Sequence, residues 1–193
     1  MSETTEITQL VLRERQGRDR GWWDQMRACF AEEATVRLSW FRGSGPDFVA
    51  ASERMSARGD TAVHRLSPPA VHRRGERALV ELPSLIEMRT SLDGVEVDLT
   101  SAARLNYRVE RRGGRWLVMA LDPVYERDTL APVHPGVTLD VGPADVEQFR
   151  APYRFLSYVF SCRGYPVGDD LYGDDRPGET ARFYDEARVW LNG

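Results

Sequence analysis

Residues 95–111, VEVDLTSAARLNYRVER, constrain the fold more than any other stretch. Val95, Val97, Leu99, Ala103, Leu105, Tyr107 and Val109 occupy one set of alternate positions, while Glu96, Asp98, Thr100, Arg104, Asn106 and Arg108 occupy the other. Side chains of a strand alternate between faces, so this period predicts a long antiparallel strand with one apolar side that another layer must cover. The runs on either side, RALVELPSLIEMRT and RWLVMALDPVYERD, have the same β-like character, and AVHRLSPPAVHRR precedes them. Turn signals at Gly75, Asp93-Gly94 and Gly113-Gly114 separate these runs and predict a meander of hairpins.

The cover comes from the N-terminal part. Ile7, Leu10, Val11 and Leu12 recur at helical spacing within residues 4–17, and a break follows at Gly17–Gly21. Trp22, Trp23, Met26, Cys29 and Phe30 continue that spacing through WWDQMRACFAEEA, which predicts a second helix with Asp19 just before its start. TVRLSWF reads as a strand, and PDFVAASERMSAR as a helix with a proline in its first turn. Helices first and a long meander after them predict an α+β fold, a curved antiparallel sheet forming a cone with the N-terminal helices on its concave face. Residues 1–130 make up this unit and 131–145 a proline- and glycine-rich connector. Residues 146–193 form a C-terminal extension of two helical stretches, ADVEQFRAPYRFLSYVFSCRG and RPGETARFYDEARVWLNG, which packs on the body or on a second subunit.

Composition narrows the chemistry. With 26 Lys and Arg against 30 Asp and Glu the net charge is −4, and the arginines are interleaved with acids, so no basic stripe for nucleic acid forms. No apolar run approaches the roughly 18 residues of a membrane span, and the polar, acidic N-terminus lacks the basic start and apolar core of a signal peptide. A cytoplasmic location is the resulting expectation. Cys29 and Cys162 fit no metal-ligand spacing and read as buried free thiols. The sequence has no GxGxxG, GxSxG, HExxH or CxxC motif, so neither cofactor nor metal is expected, and any chemistry falls to acid/base side chains.

Three segments resemble the SnoaL-like branch of the nuclear transport factor 2-like superfamily: DRGWWDQMRACFAEEATVRLSWF, HRLSPPAVHRRGERALVE and ARLNYRVERRGGRWLV, and the resemblance covers roughly residues 5 to 130. The resemblance implies the cone fold and, less specifically, activities of the dehydratase, cyclase and isomerase kind, because one fold here hosts many functions. In members of the dehydratase and dehydrochlorinase kind, an Asp at the end of the first helix meets a His entering a strand. The matching positions are Asp19 and His64, and they imply a dyad whose carboxylate orients an imidazole general base. Where the dehydrochlorinase-like members have a basic residue near the end of the final strand, this chain has Leu121 and Asp122. Where the epoxide hydrolases have an Arg-x-Asp pair, it has Arg89-Thr90-Ser91. Both departures argue against those two activities.

The same reading names Arg104 and Tyr107 as oxygen contacts, and Trp23, Trp40 and Phe41 as walls for a small, flat, hydrophobic carbonyl compound. Two alternatives stand beside it. The face carrying Asp98, Thr100, Arg104 and Asn106 either lines the cone or forms a solvated outer surface with cross-strand ion pairs, and the aromatics also suit a plain core. At the level of function, the lyase or isomerase stands against a non-catalytic module that binds a ligand or a protein. A homodimer through the sheet is the expected assembly.

Overall fold

The computed structural model describes residues 2–193. In chain order the elements are α1 (Glu3–Arg20), α2 (Trp23–Arg27), β1 (Phe30–Leu38), β2 (Phe41–Ser44), α3 (Gly45–Ala57), β3 (Val63–Leu66), β4 (Ala70–Arg74), β5 (Arg77–Leu92), β6 (Val95–Arg112) and β7 (Arg115–Pro132). The end of the connector and the extension add α4 (Pro143–Val146), a 3-10 turn (Ala151–Tyr153), α5 (Arg154–Cys162), β8 (Tyr172–Gly173) and α6 (Pro177–Asn192). The strands form one open, curved sheet in the order β2-β1-β7-β6-β5-β3, with β4 also on β5 and β8 also on β7.

The three long strands follow the alternation in the sequence. β5 and β6 pair without a break from Arg77↔Glu110 to Leu92↔Val95, across a turn in which Asp93 and Gly94 have φ of 48° and 81°. Gly113 and Gly114 repeat this with φ of 55° and 78° between Arg112 and Arg115. Two central residues at positive φ are what a two-residue turn matched to the strand twist requires. Val97, Leu99, Ala103, Leu105, Tyr107 and Val109 are all buried on the inner face. The β6–β7 register slips at Ala102/Ala103 and again at Arg108/Val109, each time with one extra residue on β7. Such bulges bend a strand, and here they curl the sheet around its inner face. Its antiparallel pattern has two exceptions, since β1 and β8 each run parallel to β7.

Local structure departs from the sequence expectation in three places. The second helix stops at Arg27, and Phe30–Leu38, including the helix-favouring AEEA, is strand. The open edge of β7 supplies β1 with partners that the local propensity of Ala and Glu does not outweigh. AVHRLSPPAVHRR divides at Pro68-Pro69 into β3 and β4, both laid against β5. ADVEQFRAPYRFLSYVFSCRG divides at Pro152, which lacks an N–H and disfavours helix in the residue before it.

The extension packs on both faces of the sheet. On the inner face α1 and α3 cover one half of the core, around Phe48, Val80, Leu82 and Leu105. Leu156, Val159 and Phe160 of α5 cover the other half, against Met88, Val97, Leu99 and Ala103. On the outer face α6 lies across β4 and β5. Cys29 is buried, and burial pushes its thiol up to about 12. Cys162, expected to be buried as well, is exposed at the end of α5. No helix among the described residues is long and apolar enough to cross a membrane.

Candidate active site in the cone

Helix α1 delivers most of the charged groups. Its N-cap Ser2 accepts a hydrogen bond from the Thr5 N–H at 3.2 Å, and it closes on Gly21 in the left-handed conformation (φ 68°). One stripe of the helix is buried: Ile7, Val11, Glu14, Arg15 and Arg18. The stripe begins apolar, against the core, and turns charged where it enters the cone. Asp19 lies one turn beyond Arg15, in the last turn of α1, and not at the start of α2 where the sequence spacing put it.

Asp19 grips His64 at two points. Its Oδ1 is 2.6 Å from the ring Nδ1, and its Oδ2 accepts the His64 backbone N–H at 2.8 Å. Strand β3 fixes the other side of this contact, since His64 pairs with Ile86 of β5. Burial lowers the pKa of His64 below the ordinary imidazole value, and the nearby Arg15 and Arg18 charges act the same way, with Asp19 opposing them. Burial pushes Asp19 up, but the His64 ring and N–H and the Arg15 charge outweigh it and hold the carboxyl below its usual value. At neutral pH the pair is therefore a carboxylate beside a neutral imidazole, with Nδ1–H donated to Asp19 and the Nε2 lone pair turned towards Arg15.

Arg15 and Arg18, which the sequence reading did not select, line the same cavity as His64. Arg15 is tied through Nε and Nη2 to the two carboxylate oxygens of Glu14, and its Nη1 points at His64 Nε2 from 3.4 Å. Arg18 is only 6% exposed and pairs with no carboxylate among the described residues; it donates to Met55 Sδ at 3.1 Å and lies over the Trp40 ring at 5.9 Å. Burial and repulsion from Arg15 bring Arg18 down to about 10. A buried cation without a counter-ion is costly, and the Met55 sulfur and the Trp40 ring offset only part of that cost. The signal was present in the sequence: Arg15 and Arg18 fall on the apolar stripe begun by Ile7 and Val11, where a charge needs a reason.

Of the remaining sequence candidates, only Trp40 lines the cavity, with Leu38, Phe48, Met55, Ile86 and Leu105. Phe41 backs Trp40, ring centroids 5.7 Å apart, and Trp23 packs on the outside of the core. Tyr107 is buried and donates its hydroxyl to Glu14 at 3.1 Å, so it supports Arg15 and does not face the cavity. Arg104 is on the outer face, donating to Glu126 at 2.7 Å and Glu81 at 2.8 Å. The strand period put Arg104 on the face opposite Leu105, and the cavity is on the Leu105 side. No group of three or more His, Cys, Asp or Glu with metal-ligand clustering occurs among the described residues.

Helix α5 roofs the cavity with Leu156 and Phe160. The enclosed volume is about 40 Å³, room for water and not for a ring compound. The roof is tied at both ends: Asp128 accepts the Leu156 N–H at 2.8 Å, and Asp60 receives Arg163 together with the Tyr165 hydroxyl at 2.7 Å. Replacing Arg163 with alanine removes one tie while Tyr165 still holds Asp60, at a cost of about 1–2 kcal/mol. Amide exchange in α5 is expected to quicken by about tenfold or more as the roof opens more often. Unchanged exchange in α5 would mean that this tie does not hold the roof.

A family model for the SnoaL-like domain matches residues 1–122. The chain belongs to the SnoaL-like family. It is 28% identical over 187 residues to a PEP2-like protein of Fusarium vanettenii, across 91% of this chain and 80% of that protein. Its fold is similar to a hexachlorocyclohexane dehydrochlorinase (TM-score 0.60, 13% identity, 72% of this chain and 95% of that one). It is also similar to a putative scytalone dehydratase of Novosphingobium aromaticivorans (TM-score 0.55, 17% identity, 72% and 93%). These likenesses agree with the cone fold expected from the sequence.

Proposed function

We propose that this SnoaL-like protein is a cofactor-free lyase or isomerase of the dehydratase and cyclase kind, acting on a hydrophobic carbonyl compound. The observation that carries the reading is His64, oriented by Asp19 at 2.6 Å, with Arg15 Nη1 3.4 Å from its other ring nitrogen and Arg18 lining the same cavity. His64 Nε2 takes the proton from a carbon next to the carbonyl. The C–H electron pair becomes an enolate, whose oxygen is stabilised by Arg15 Nη1 and Arg18. In a dehydration the pair then forms the C=C bond, the β-oxygen leaves, and Nε2–H returns the proton to it as water. In an isomerisation the same proton returns to another carbon.

The test is a panel of apolar β-hydroxy and β,γ-unsaturated carbonyl compounds in deuterated buffer, followed for deuterium at the acidic carbon and for loss of water or a shifted double bond. Because the base must be neutral, kcat/KM is expected to rise with pH through a pKa below the ordinary histidine value. It then stays level until Arg18 begins to lose its proton near pH 10. An acid limb at the value of free histidine would contradict a buried base. The small volume under the α5 roof favours the alternative of a ligand-binding module. Tight binding of carbonyl compounds without exchange at carbon would select it.

We also propose that a homodimer through the sheet would form around α6, which lies across β4 and β5 on the outer face. Sedimentation equilibrium at micromolar protein tests this, with a monomer as the opposing result.

A further inference from the structure

A second and roomier cavity lies on the other side of the sheet, independent of the His64 site. It is enclosed between the outer face of β4–β6 and the inward side of α6, and its volume of about 390 Å³ is within the range of small-molecule sites. The strand registers fix its floor. His72, Leu79 and Arg108 are consecutive partners across β4, β5 and β6, so they form one row on the outer face. Ala70, Glu81, Asn106 and Asp122 form the next row, across β4 to β7. Phe183, Ala187 and Leu191, four residues apart along α6, supply an apolar roof.

The charges on this floor are unevenly satisfied. Glu81 already receives Arg104 at 2.8 Å and the Tyr184 hydroxyl at 2.6 Å. Asp122 is 3.2 Å from the Arg37 Nε. Arg188, at the edge, is turned to Asp185 at 2.9 Å. Arg108 has no carboxylate or other hydrogen-bond partner among the described residues, and the Trp190 ring 5.7 Å away is its neighbour on the helix side. Both carboxylates of the floor have contact partners, whereas Arg108 acts on Asp122 only through space and is in contact with no carboxylate among the described residues, so the positive charge is the one open to a ligand, with an apolar floor residue, Leu79, and an apolar roof beside it.

We infer that this cavity is a binding site for a small amphipathic anion, a carboxylate on an apolar body. The carboxylate pairs with the Arg108 guanidinium, which can offer it two parallel N–H donors. The body lies between Leu79 and the Phe183–Ala187–Leu191 stripe, where burial of apolar surface supplies the affinity. His72, in the same row as Arg108, adds a donor at the mouth.

Calorimetric titration of the full chain with decanoate, and with uncharged decan-1-ol, tests the assignment. One decanoate is expected to bind per chain, about tenfold or more tighter than the alcohol. Arg108→Gln, at a half-buried position where the fold tolerates it, is expected to reduce the decanoate affinity to that of the alcohol. Ala187→Trp fills the space under the roof and blocks both ligands. His64→Ala leaves both affinities as they are. Circular dichroism confirms that each variant is folded, and Arg108→Gln decides alone if Ala187→Trp is not. Absence of decanoate binding up to about 1 mM, equal binding by Arg108→Gln, or loss of binding in His64→Ala would each overturn the assignment. The last of these would move the ligand into the cone.

Discussion

His64→Ala is expected to lower kcat/KM by about 10²–10⁴-fold on any substrate whose proton the protein removes, with the fold intact. The ring lines the cavity with Nε2 3.4 Å from Arg15 Nη1, and its other nitrogen is already committed to Asp19. Asp19→Asn gives the sharper version of the same result. The amide can offer an N–H to Nδ1 and so stabilise the tautomer with the proton on Nε2, which no longer accepts one. An Asp→Asn change beside a catalytic histidine costs as much as about 10⁴-fold elsewhere. Deuterium exchange at the acidic carbon reads the step directly. Full exchange in both variants would remove His64 and Asp19 from the mechanism and leave the family assignment and the fold untouched.

Glu14→Gln is expected to destabilise the protein by about 3–5 kcal/mol. Glu14 and Arg15 are 0% and 2% exposed, bonded to each other, and Tyr107 donates to the carboxylate from the sheet. Glutamine keeps the shape but withdraws the charge, leaving the Arg15 guanidinium buried beside Arg18 with no counter-ion of its own. Urea denaturation followed by fluorescence would show the loss as a lower midpoint at an unchanged slope. Replacing Glu14 and Arg15 together by leucine and methionine is expected to recover much of the stability, because a buried ion pair offsets its own desolvation cost poorly. The double variant would still lose activity, since Arg15 Nη1 is gone. A loss below about 1 kcal/mol for Glu14→Gln would show that water reaches the pair.

Much of the site was legible because it rests on short-range rules. The alternation from Val95 to Val109 marks the inner face, so the side on which a pocket forms follows from it; Arg104 was named as an oxygen contact although it has the other parity, and it lies on the outer face with Glu126 and Glu81. His64 stands out as an imidazole just before a double proline that ends an edge strand. Asp19 was selected by the resemblance, which puts it at the end of the first helix, where it lies; the spacing alone put it before the second helix. The break at Gly17–Gly21 suggested the start of a helix, whereas α1 continues to Arg20 and Gly21 closes it in the left-handed conformation.

Other features were decided by contacts between residues far apart in sequence. AEEA becomes strand because β7 offers it a partner edge, and Tyr107 leaves the ligand's side because Glu14 claims its hydroxyl. Arg18 stands on the apolar stripe of its helix in the sequence, but that it is buried with no carboxylate partner among the described residues is decided by the fold. The two stretches of the extension could be recognised as helical but not assigned to opposite faces of the sheet. By itself, then, the sequence determined the meander, its turns and its apolar face, because strand period and positive-φ turns are local properties. Only the tertiary structure decided that α5 closes one cavity and α6 bounds another. Which surface an amphipathic helix covers depends on where free apolar area remains after the rest of the chain has folded.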